Sequence, residues 1–400
     1  MLRELETAAA GAALVAAVEP DAARAEEARR QYNIPVFANV EALLQADLEL
    51  DAACVAVPTV KHCEVASQLL DAGLDLLIEK PLAATLAEAD ALIQSQEKNG
   101  RIVQPGHLER FNPAVLAVEP KLTRPMFFEA HRLSVFTPRS LDVDVVLDLM
   151  IHDLDIVLTF ANSPVREVRA VGLPILSPKV DIANVRVEFE SGCVANFTAS
   201  RVSTERVRKL RFFEPRQYVS IDYARRDVLV IRIDPPAPPA GGQPSAAASA
   251  HEAMAQAAKQ FLNTGKLDAS VIQTLLASGQ IPAGLMMKVL AAKNNPEKLK
   301  EIARTLAGPL AQAPVESREG PAPGLSFVKP DVAPGEPLKL EIESFLHAVR
   351  TRCQPRVTAR QGRAALELAL TIQAQMAAHA QRAGIADFFA GGFLPESGNR

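Results

Sequence analysis

The chain is poor in the cysteine patterns that are typical of thiol-redox, zinc-binding and disulfide-rich proteins. Its 400 residues include no tryptophan, three tyrosines and four cysteines. The cysteines stand far apart, and none forms a CxxC or mixed Cys/His zinc pattern. We therefore expect reduced thiols, no disulfide framework and no bound metal.

Long apolar runs are also missing. No run reaches the length that a membrane span needs, and residues 1–11 carry charges of both signs without the apolar stretch of a secretory signal. The formal net charge of −4 favours neither nucleic acid nor an anionic membrane. These absences predict a cytoplasmic protein that binds a small molecule and has no nucleic-acid or membrane partner.

The length predicts two domains, because 400 residues exceed one ordinary core. Up to about residue 105, short apolar strands alternate with helices, as in Ala52–Val57 and Asp75–Ile78. This alternation is typical of a doubly wound parallel sheet. We predict a Rossmann-like dinucleotide-binding domain over residues 1–105.

The pattern changes after this region. A long helix is predicted over 141–161, and strand-like runs up to about residue 232 alternate apolar with polar residues, which favours an antiparallel sheet with one wet face. We predict an α+β substrate and oligomerisation domain over 106–233 and 337–390. Residues 234–336 are rich in Pro, Gly and Ala at both ends, and predict flexible linkers around a small helical insertion.

The expected phosphate-binding turn is missing from the front. No GxGxxG follows an early strand. Residues 1–10 resemble the helix that should follow that turn, and residues 13–18 the second strand, which puts Glu19 at the position of the ribose-binding acid. We expect the first strand and its loop to be absent from the chain as given. The alternative is a natural chain with a degenerate cofactor site.

Several polar residues follow the predicted parallel strands. Ligands bind beyond the carboxyl ends of such strands, so residues there are candidates for cofactor binding. A lysine at such a position can approach both a nicotinamide and a substrate hydroxyl. The predicted cofactor-binding residues are Glu19, Pro58, Thr59, His62, Glu79, Lys80 and His107.

Asp148 and His152 lie four residues apart in the predicted helix over 141–161, within an apolar stretch, and so share one face. The sequence allows a structural His–Asp pair, a catalytic pair, or a metal pair without a clear third ligand. Asp155, three residues after His152, could instead orient that histidine.

A basic cluster occupies residues 200–209. Arginine suits the bidentate binding of phosphate, so Arg201, Arg206 and Arg208 are candidates for an anionic substrate group, and we add Arg110 to the predicted substrate-binding residues. A solvated strand edge is the alternative interpretation.

These motifs together resemble the Gfo/Idh/MocA oxidoreductase family over residues 1–233 and 337–383. The stretches that carry the resemblance are Glu79-Lys80-Pro81, GHLERFNP, Asp148 with His152, and PLKLEIESFLHAVR. Within the family, GHLERFNPAV, DLMIHDLDIVL and SGCVANFTASRVS are most similar to the UDP-N-acetylglucosamine 3-dehydrogenases. Those enzymes oxidise the sugar 3-hydroxyl to a ketone, which a partner aminotransferase converts to a 3-amino sugar for lipid A.

The resemblance implies NAD-dependent oxidation of a secondary sugar hydroxyl by a homo-oligomer. His152 would act as the general base, Asp148 would bind the sugar or tune His152, and Lys80 would contact the reacting oxygen and the nicotinamide. Glu19 favours NAD over NADP, because an acid repels a 2′-phosphate. Two alternatives remain open: a non-catalytic binding protein of this fold, and a metal-dependent sugar isomerase or hydrolase.

Overall fold

The computed structural model describes residues 11–137, 143–233, 317–319 and 325–389. The chain divides into two compact units, Met1–Ile231 with Val332–Arg400, and Arg232–Asp331. The predicted helix over 1–10 and most of the predicted insertion over 234–336 lie outside the described residues.

The first unit opens with short parallel strands that alternate with helices, as predicted. The elements are β1 (Ala17–Val18), α1 (Ala22–Tyr32), β2 (Val36–Phe37), α2 (Val40–Leu44), β3 (Ala52–Val55), α3 (His62–Asp71), β4 (Asp75–Glu79), α4 (Leu86–Asn99) and β5 (Val103–Gly106). Side-chain caps begin α1, α2 and α4. Thr85 and Glu88 form a capping box at α4, for example.

These strands form two separate parallel sheets, β2-β1 and β3-β4-β5. In the Rossmann strand order 3-2-1-4-5-6, β2 and β1 correspond to strands 3 and 2, and β3, β4 and β5 correspond to strands 4, 5 and 6. The position of Rossmann strand 1 therefore lies between β1 and β3. The strand predicted over 13–18 is correspondingly short. Only Ala17 and Val18 pair with β2, and Val15 is 37% exposed, because no described strand covers the other edge.

The rest of the first unit builds a second, larger sheet. Its elements are α5 (Pro113–Val118), β6 (Phe127–Leu133), α6 (Ile151–Ala161), β7 (Val165–Leu173), β8 (Ile182–Phe189), β9 (Val194–Ser200), β10 (Val207–Glu214), β11 (Gln217–Asp222) and β12 (Asp227–Ile233). The strand order is β12-β11-β10-β6-β9-β8-β7, and the β6–β9 pair is parallel. This arrangement confirms the predicted α+β class.

One face of this sheet is buried and the other is open. In β8 the side chains of Ala183, Val185, Val187 and Phe189 are buried, while the residues between them are at least partly exposed. The apolar phase of the strand therefore faces the helices, as the sequence alternation predicts.

Two final helices return the chain to the parallel strands. They are α7 (Pro337–Thr351) and α8 (Ala359–Arg382). Ile342 and Phe345 of α7 pack with Leu77 of β4. Gly362 lets α8 approach β5, because a Cβ there would lie 2.6 Å from Cγ of Pro105. The return predicted for 337–350 and 359–383 is confirmed.

The second unit contributes an antiparallel hairpin among the described residues. Its strands are β13 (Ser317–Glu319) and β14 (Leu325–Val328), paired with Ser317 opposite Val328.

The single regular helix predicted over 141–161 is wrong in its first half. Val146–Met150 is a π-helical turn, in which the N–H of Ile151 donates to the carbonyl of Val146. The carboxylate of Asp144 accepts from the N–H of Val146 (2.8 Å) and so begins the segment. A π turn has no hydrophobic period of its own, which is why the sequence shows no sign of it. Such turns often occur at functional sites.

A buried ion cluster ties this helix to the sheet. Arg132 of β6 is 3% exposed. Its Nε and Nη2 donate to the carboxylate of Asp153 at 2.7 and 2.9 Å, and its Nη1 donates to Glu109 at 3.0 Å. A charge this deep needs full pairing, because desolvation would otherwise exceed the Coulombic gain.

We expect Arg132→Met to lower the free energy of unfolding by about 3–5 kcal/mol, since Asp153 and Glu109 would be left buried and unpaired. Denaturant titration monitored by circular dichroism measures the change. Arg211→Met is the matched control, because Arg211 forms a half-exposed pair with Glu129 (2.8 Å) in the same sheet. That control should cost no more than about 1 kcal/mol. Equal costs would contradict the proposed burial effect.

Candidate active site

The predicted site residues gather at the carboxyl ends of the parallel strands. β3, β4 and β5 pair in parallel, so the residues that follow them meet at one edge of the sheet. Pro58 follows β3, Lys80 follows β4 and His107 follows β5. The sequence placed these residues correctly relative to the strands.

Lys80 connects this edge to the π turn. Its Nζ donates to the carbonyl oxygen of Asp148 at 2.8 Å and to that of Leu147 at 3.5 Å. It also lies 3.6 Å from the Asp148 carboxylate. Burial lowers the pKa of Lys80, while the negative charges of Asp148 and Glu79 oppose that shift. Lys80 and Asp148, predicted to act together, are therefore in contact.

His152 lies in α6, one turn beyond Asp148, with its Nδ1 buried. Burial lowers its pKa well below 6.5, and the positive charges of Lys80 and Arg132 add to this shift. The ring is therefore neutral at physiological pH and able to accept a proton. Lys80 contacts Asp148, and Asp148 lies four residues before His152 on consecutive helical segments, so the three residues occupy one region of the structure.

His62 and His107 are both enclosed in the protein. The Nδ1 of His62 lies 2.8 Å from the carbonyl oxygen of Pro81, and its Nε2 lies 2.9 Å from that of Val57. His62 thus lies between the loops after β3 and β4. His107, which follows β5, is 1% exposed.

The described residues fit part of a nicotinamide dinucleotide. Glu19 follows β1, and its carboxylate accepts from the N–H of Asp21 at 2.9 Å, which holds an acid where a ribose would bind. Lys80 and Glu79 stand where a nicotinamide would end. Within residues 11–137, no glycine-rich turn precedes any helix that follows a parallel strand. The described residues therefore include no loop that would bind the pyrophosphate.

The predicted substrate arginines differ in their surroundings. Arg110 donates to the Thr159 hydroxyl and lies 3.7 Å from the Asp155 carboxylate. Arg201 is buried and lies 3.4 Å from the Asp181 carboxylate. These two guanidinium groups thus bind partners inside the protein, so fewer of their N–H groups are available to a substrate. Arg206 is exposed.

Arg208 differs from the other predicted arginines, because it lies on the inward phase of β10 and its charge affects His152. In β10 it has the same phase as the buried Leu210 and Phe212, and it pairs in register with Arg132. Its side chain is nevertheless exposed. Its charge is among those that lower the pKa of His152, so the guanidinium lies on the same side of the sheet as the candidate base.

Three buried polar residues near the site, Glu341, Gln104 and Arg132, were not identified from the sequence. Glu341 of α7 is buried, and desolvation together with Glu79 raises its pKa well above the ordinary value. Gln104 donates to the carbonyl of Glu341 at 3.3 Å, and Arg132 holds α6. A signal was available for Arg132, since it occupies the apolar phase of β6 beside Phe128 and Ala130.

Other kinds of site find no support in the described ranges. No helix there is long and apolar enough to cross a membrane. No group of three or more His, Cys, Asp or Glu side chains in the same ranges could hold a metal ion.

A Rossmann-like parallel sheet followed by a large open sheet, with lysine, aspartate and histidine gathered between them, is the architecture of two-domain nicotinamide-dependent oxidoreductases. The family model of the Gfo/Idh/MocA oxidoreductases, NAD-binding Rossmann fold, matches residues 1–107. The model of the Gfo/Idh/MocA C-terminal domain matches residues 117–215. The chain belongs to the Gfo/Idh/MocA oxidoreductase family.

Curated relatives include dehydrogenases of two substrate classes. The UDP-N-acetylglucosamine 3-dehydrogenase of Acidithiobacillus ferrooxidans is 38% identical over 211 residues, which are 52% of this chain and 66% of that protein. The scyllo-inositol 2-dehydrogenase (NAD(+)) of Bacillus subtilis is 26% identical over 50% of this chain and 63% of its own. The chain thus aligns with less than two thirds of these relatives.

Solved structures extend the similarity over nearly the whole chain. The A. ferrooxidans UDP-N-acetylglucosamine 3-dehydrogenase superposes with a TM-score of 0.70 at 27% identity, covering 95% of each chain. A scyllo-inositol dehydrogenase from Lactobacillus casei, solved with NAD(H) and scyllo-inositol, has a TM-score of 0.62 at 13% identity over 94% of this chain and 93% of its own. The second comparison supports the fold alone.

The lowered pKa of His152 makes stability depend on pH with a definite sign. Between its folded pKa and about 6.5, the unfolded chain binds a proton that the native ring does not. The free energy of unfolding should therefore fall as pH drops through this window, by up to about 1.4 kcal/mol per pH unit more in the wild type than in His152→Asn. Denaturant midpoints from pH 5 to 8 measure this. Above pH 7 the two curves should be parallel, and parallel curves throughout would contradict the shift.

Proposed function

We propose that this protein is an NAD-dependent dehydrogenase that oxidises a secondary hydroxyl of a sugar nucleotide, UDP-N-acetylglucosamine to its 3-keto form. The observation that carries the proposal is the contact of Lys80 with Asp148 beside the neutral His152. The 38% identity to a UDP-N-acetylglucosamine 3-dehydrogenase supports this substrate.

The roles follow from protonation and geometry. NAD, when bound, supplies the hydride acceptor. His152 takes the hydroxyl proton, because its imidazole is neutral at working pH. The ammonium of Lys80, held by the carbonyl of Asp148, donates to the reacting oxygen and stabilises negative charge that develops there. Asp148 keeps this ammonium in place and faces the sugar.

Cofactor choice depends on Glu19 in this proposal. A carboxylate that follows Rossmann strand 2, which is β1 in this chain, accepts a hydrogen bond from a ribose 2′-hydroxyl and repels a 2′-phosphate. Glu79 and Lys80 would border the nicotinamide, with Pro58 and Thr59 beside it. NAD is therefore the proposed cofactor rather than NADP.

The diphosphate of the substrate would be bound by arginine. Arg208 is exposed on the inward phase of β10 and acts electrostatically on His152. Its guanidinium has no hydrogen-bond or ion-pair partner within residues 11–137, 143–233 and 325–389. Arg206 lies two residues earlier and is exposed. We therefore place the anionic part of the substrate near these two arginines.

The product and assembly follow from the same proposal. A 3-keto sugar is an electrophile suited to an aminotransferase, consistent with a cytoplasmic route to an amino sugar of lipid A. The open face of the large sheet is the proposed surface for a homo-oligomer.

The first test is calorimetric titration of NAD and NADP, followed by turnover with UDP-N-acetylglucosamine. We expect NAD to bind more tightly than NADP. Lys80→Ala and His152→Ala should each lower turnover by more than about tenfold, because each removes a group that acts on the reacting oxygen. Circular dichroism verifies that both variants fold.

Two outcomes would count against the proposal. Near-normal turnover in both variants would remove the assigned chemistry. A folded wild-type chain that binds neither cofactor would favour the alternative, a non-catalytic binding protein of the same fold.

Arg208→Gln should raise the KM for UDP-N-acetylglucosamine by about tenfold to a hundredfold with little change in kcat, since hydrogen bonds to a charged group contribute about 1.5–3 kcal/mol. Lys209→Gln is the matched control, because Lys209 has the opposite phase in β10 and lies 4.0 Å from Asp222. An unchanged KM in Arg208→Gln would show that the diphosphate binds elsewhere.

A further inference from the structure

A buried histidine–carboxylate pair lies behind the Lys80–Asp148–His152 group. His107 follows β5 and is 1% exposed. Its Nδ1 lies 3.9 Å from Oδ2 of Asp155, a residue of α6 that is 2% exposed. The other oxygen of Asp155 lies 3.7 Å from Arg110. The carboxylate thus stands between an arginine and a histidine ring.

Several polar atoms of this region lack partners. Both ring nitrogens of His107, the Nδ1 of His152 and the Oδ2 of Asp155 are buried without a hydrogen-bond partner among the described residues. Buried polar atoms are nearly always hydrogen-bonded, to protein or to ordered water. A separation of 3.9 Å suits one bridging water or a small side-chain shift. The region can therefore hold a chain of hydrogen bonds.

His152 and Asp155 are three residues apart in α6, so they project from the same side of that helix. The charge of His107 acts on His152, and the charge of Asp155 acts on His107. His107 thus lies beside Asp155, and Asp155 shares one side of α6 with His152.

We propose that His107 and Asp155 form a relay that removes from His152 the proton released by substrate oxidation. This inference rests on the proposed function. The substrate O–H bond breaks and its proton forms an N–H bond on His152, while the electron pair of the C–H bond leaves with hydrogen as hydride for NAD. His152 then gives its other ring proton, on Nδ1, to His107, beside the Asp155 carboxylate. Once the product has left, the proton returns from His107 to the Nδ1 of His152, and the Nε2 of His152 releases its proton to solvent, which restores the starting tautomer.

The charges around the two rings differ. Burial lowers the pKa of His107, the carboxylate of Asp155 raises it, and Arg110 and Lys80 lower it. The pKa of His152 is lowered first by burial. It is lowered further by the positive charges of Lys80, Arg132, His107 and Arg208. The Asp155 carboxylate, 3.9 Å from the Nδ1 of His107, would stabilise a proton held on that ring.

The pair can be tested without cofactor or substrate. Ring nitrogen-15 shifts of His107 are followed against pH in the wild type and in Asp155→Asn. Because Asp155 raises the pKa of His107, the titration should move to lower pH in the variant. An unchanged titration would overturn the relay whatever the activity.

The relay itself is tested by turnover in His107→Ala. We expect steady-state NAD reduction to fall about tenfold or more, and added imidazoles to restore it in proportion to their basicity. A packing role would give rescue that depends on size and not on basicity. Asp155→Asn serves as a second variant should His107→Ala fail to fold.

His131→Ala is the control, because His131 has the outward phase of β6 and plays no part in the proposed site. Normal turnover in both His107→Ala and Asp155→Asn, or rescue that is independent of basicity, would overturn the relay. An inactive wild-type chain would contradict the proposed function. The nitrogen-15 titration would then still report whether the pair is coupled, so the two failures remain distinguishable.

Discussion

The hydrogen bond from Lys80 to the carbonyl of Asp148 is the interaction on which the site depends. Lys80 belongs to the end of a parallel strand, and Asp148 to the helix that packs on the second sheet. The π turn at Val146–Met150 presents the carbonyls of Leu147 and Asp148 to the ammonium group. One lysine therefore joins the two halves of the first unit and is held where the candidate chemistry takes place.

Burial acts on the charged groups around this contact in two different ways. Arg132 stays charged because Asp153 and Glu109 pair with it fully. Among the described residues, no carboxylate is one of the main groups that shift the pKa of His152, and burial and positive charges lower it. The same helix thus carries a fixed ion pair at Asp153 and a neutral base one residue earlier. The ion pair orients the helix, and the neutral ring can accept a proton.

Much of the fold could be predicted from hydrophobic periodicity. The strand predicted at Asp75–Ile78, for example, lies within one residue of its observed bounds, Asp75–Glu79. Two predictions were wrong for identifiable reasons. The strand over 13–18 pairs only at its end, since its second edge has no described partner. The helix over 141–161 begins as a π turn because Asp144 and Lys80 bind its backbone groups, and neither contact has a local pattern.

The sequence by itself determined the class of fold, the succession of strands and helices along the first unit, and the place of Lys80 at the end of a parallel strand, because these follow from local periodicity and from which residue ends each strand. Only the tertiary structure decided which charges are buried, and therefore which groups stay available. It directed Arg110 and Arg201 to internal partners, enclosed His107 beside Asp155 and left Arg208 exposed near His152. Burial and pairing arise between segments far apart in the chain, so no local pattern encodes them.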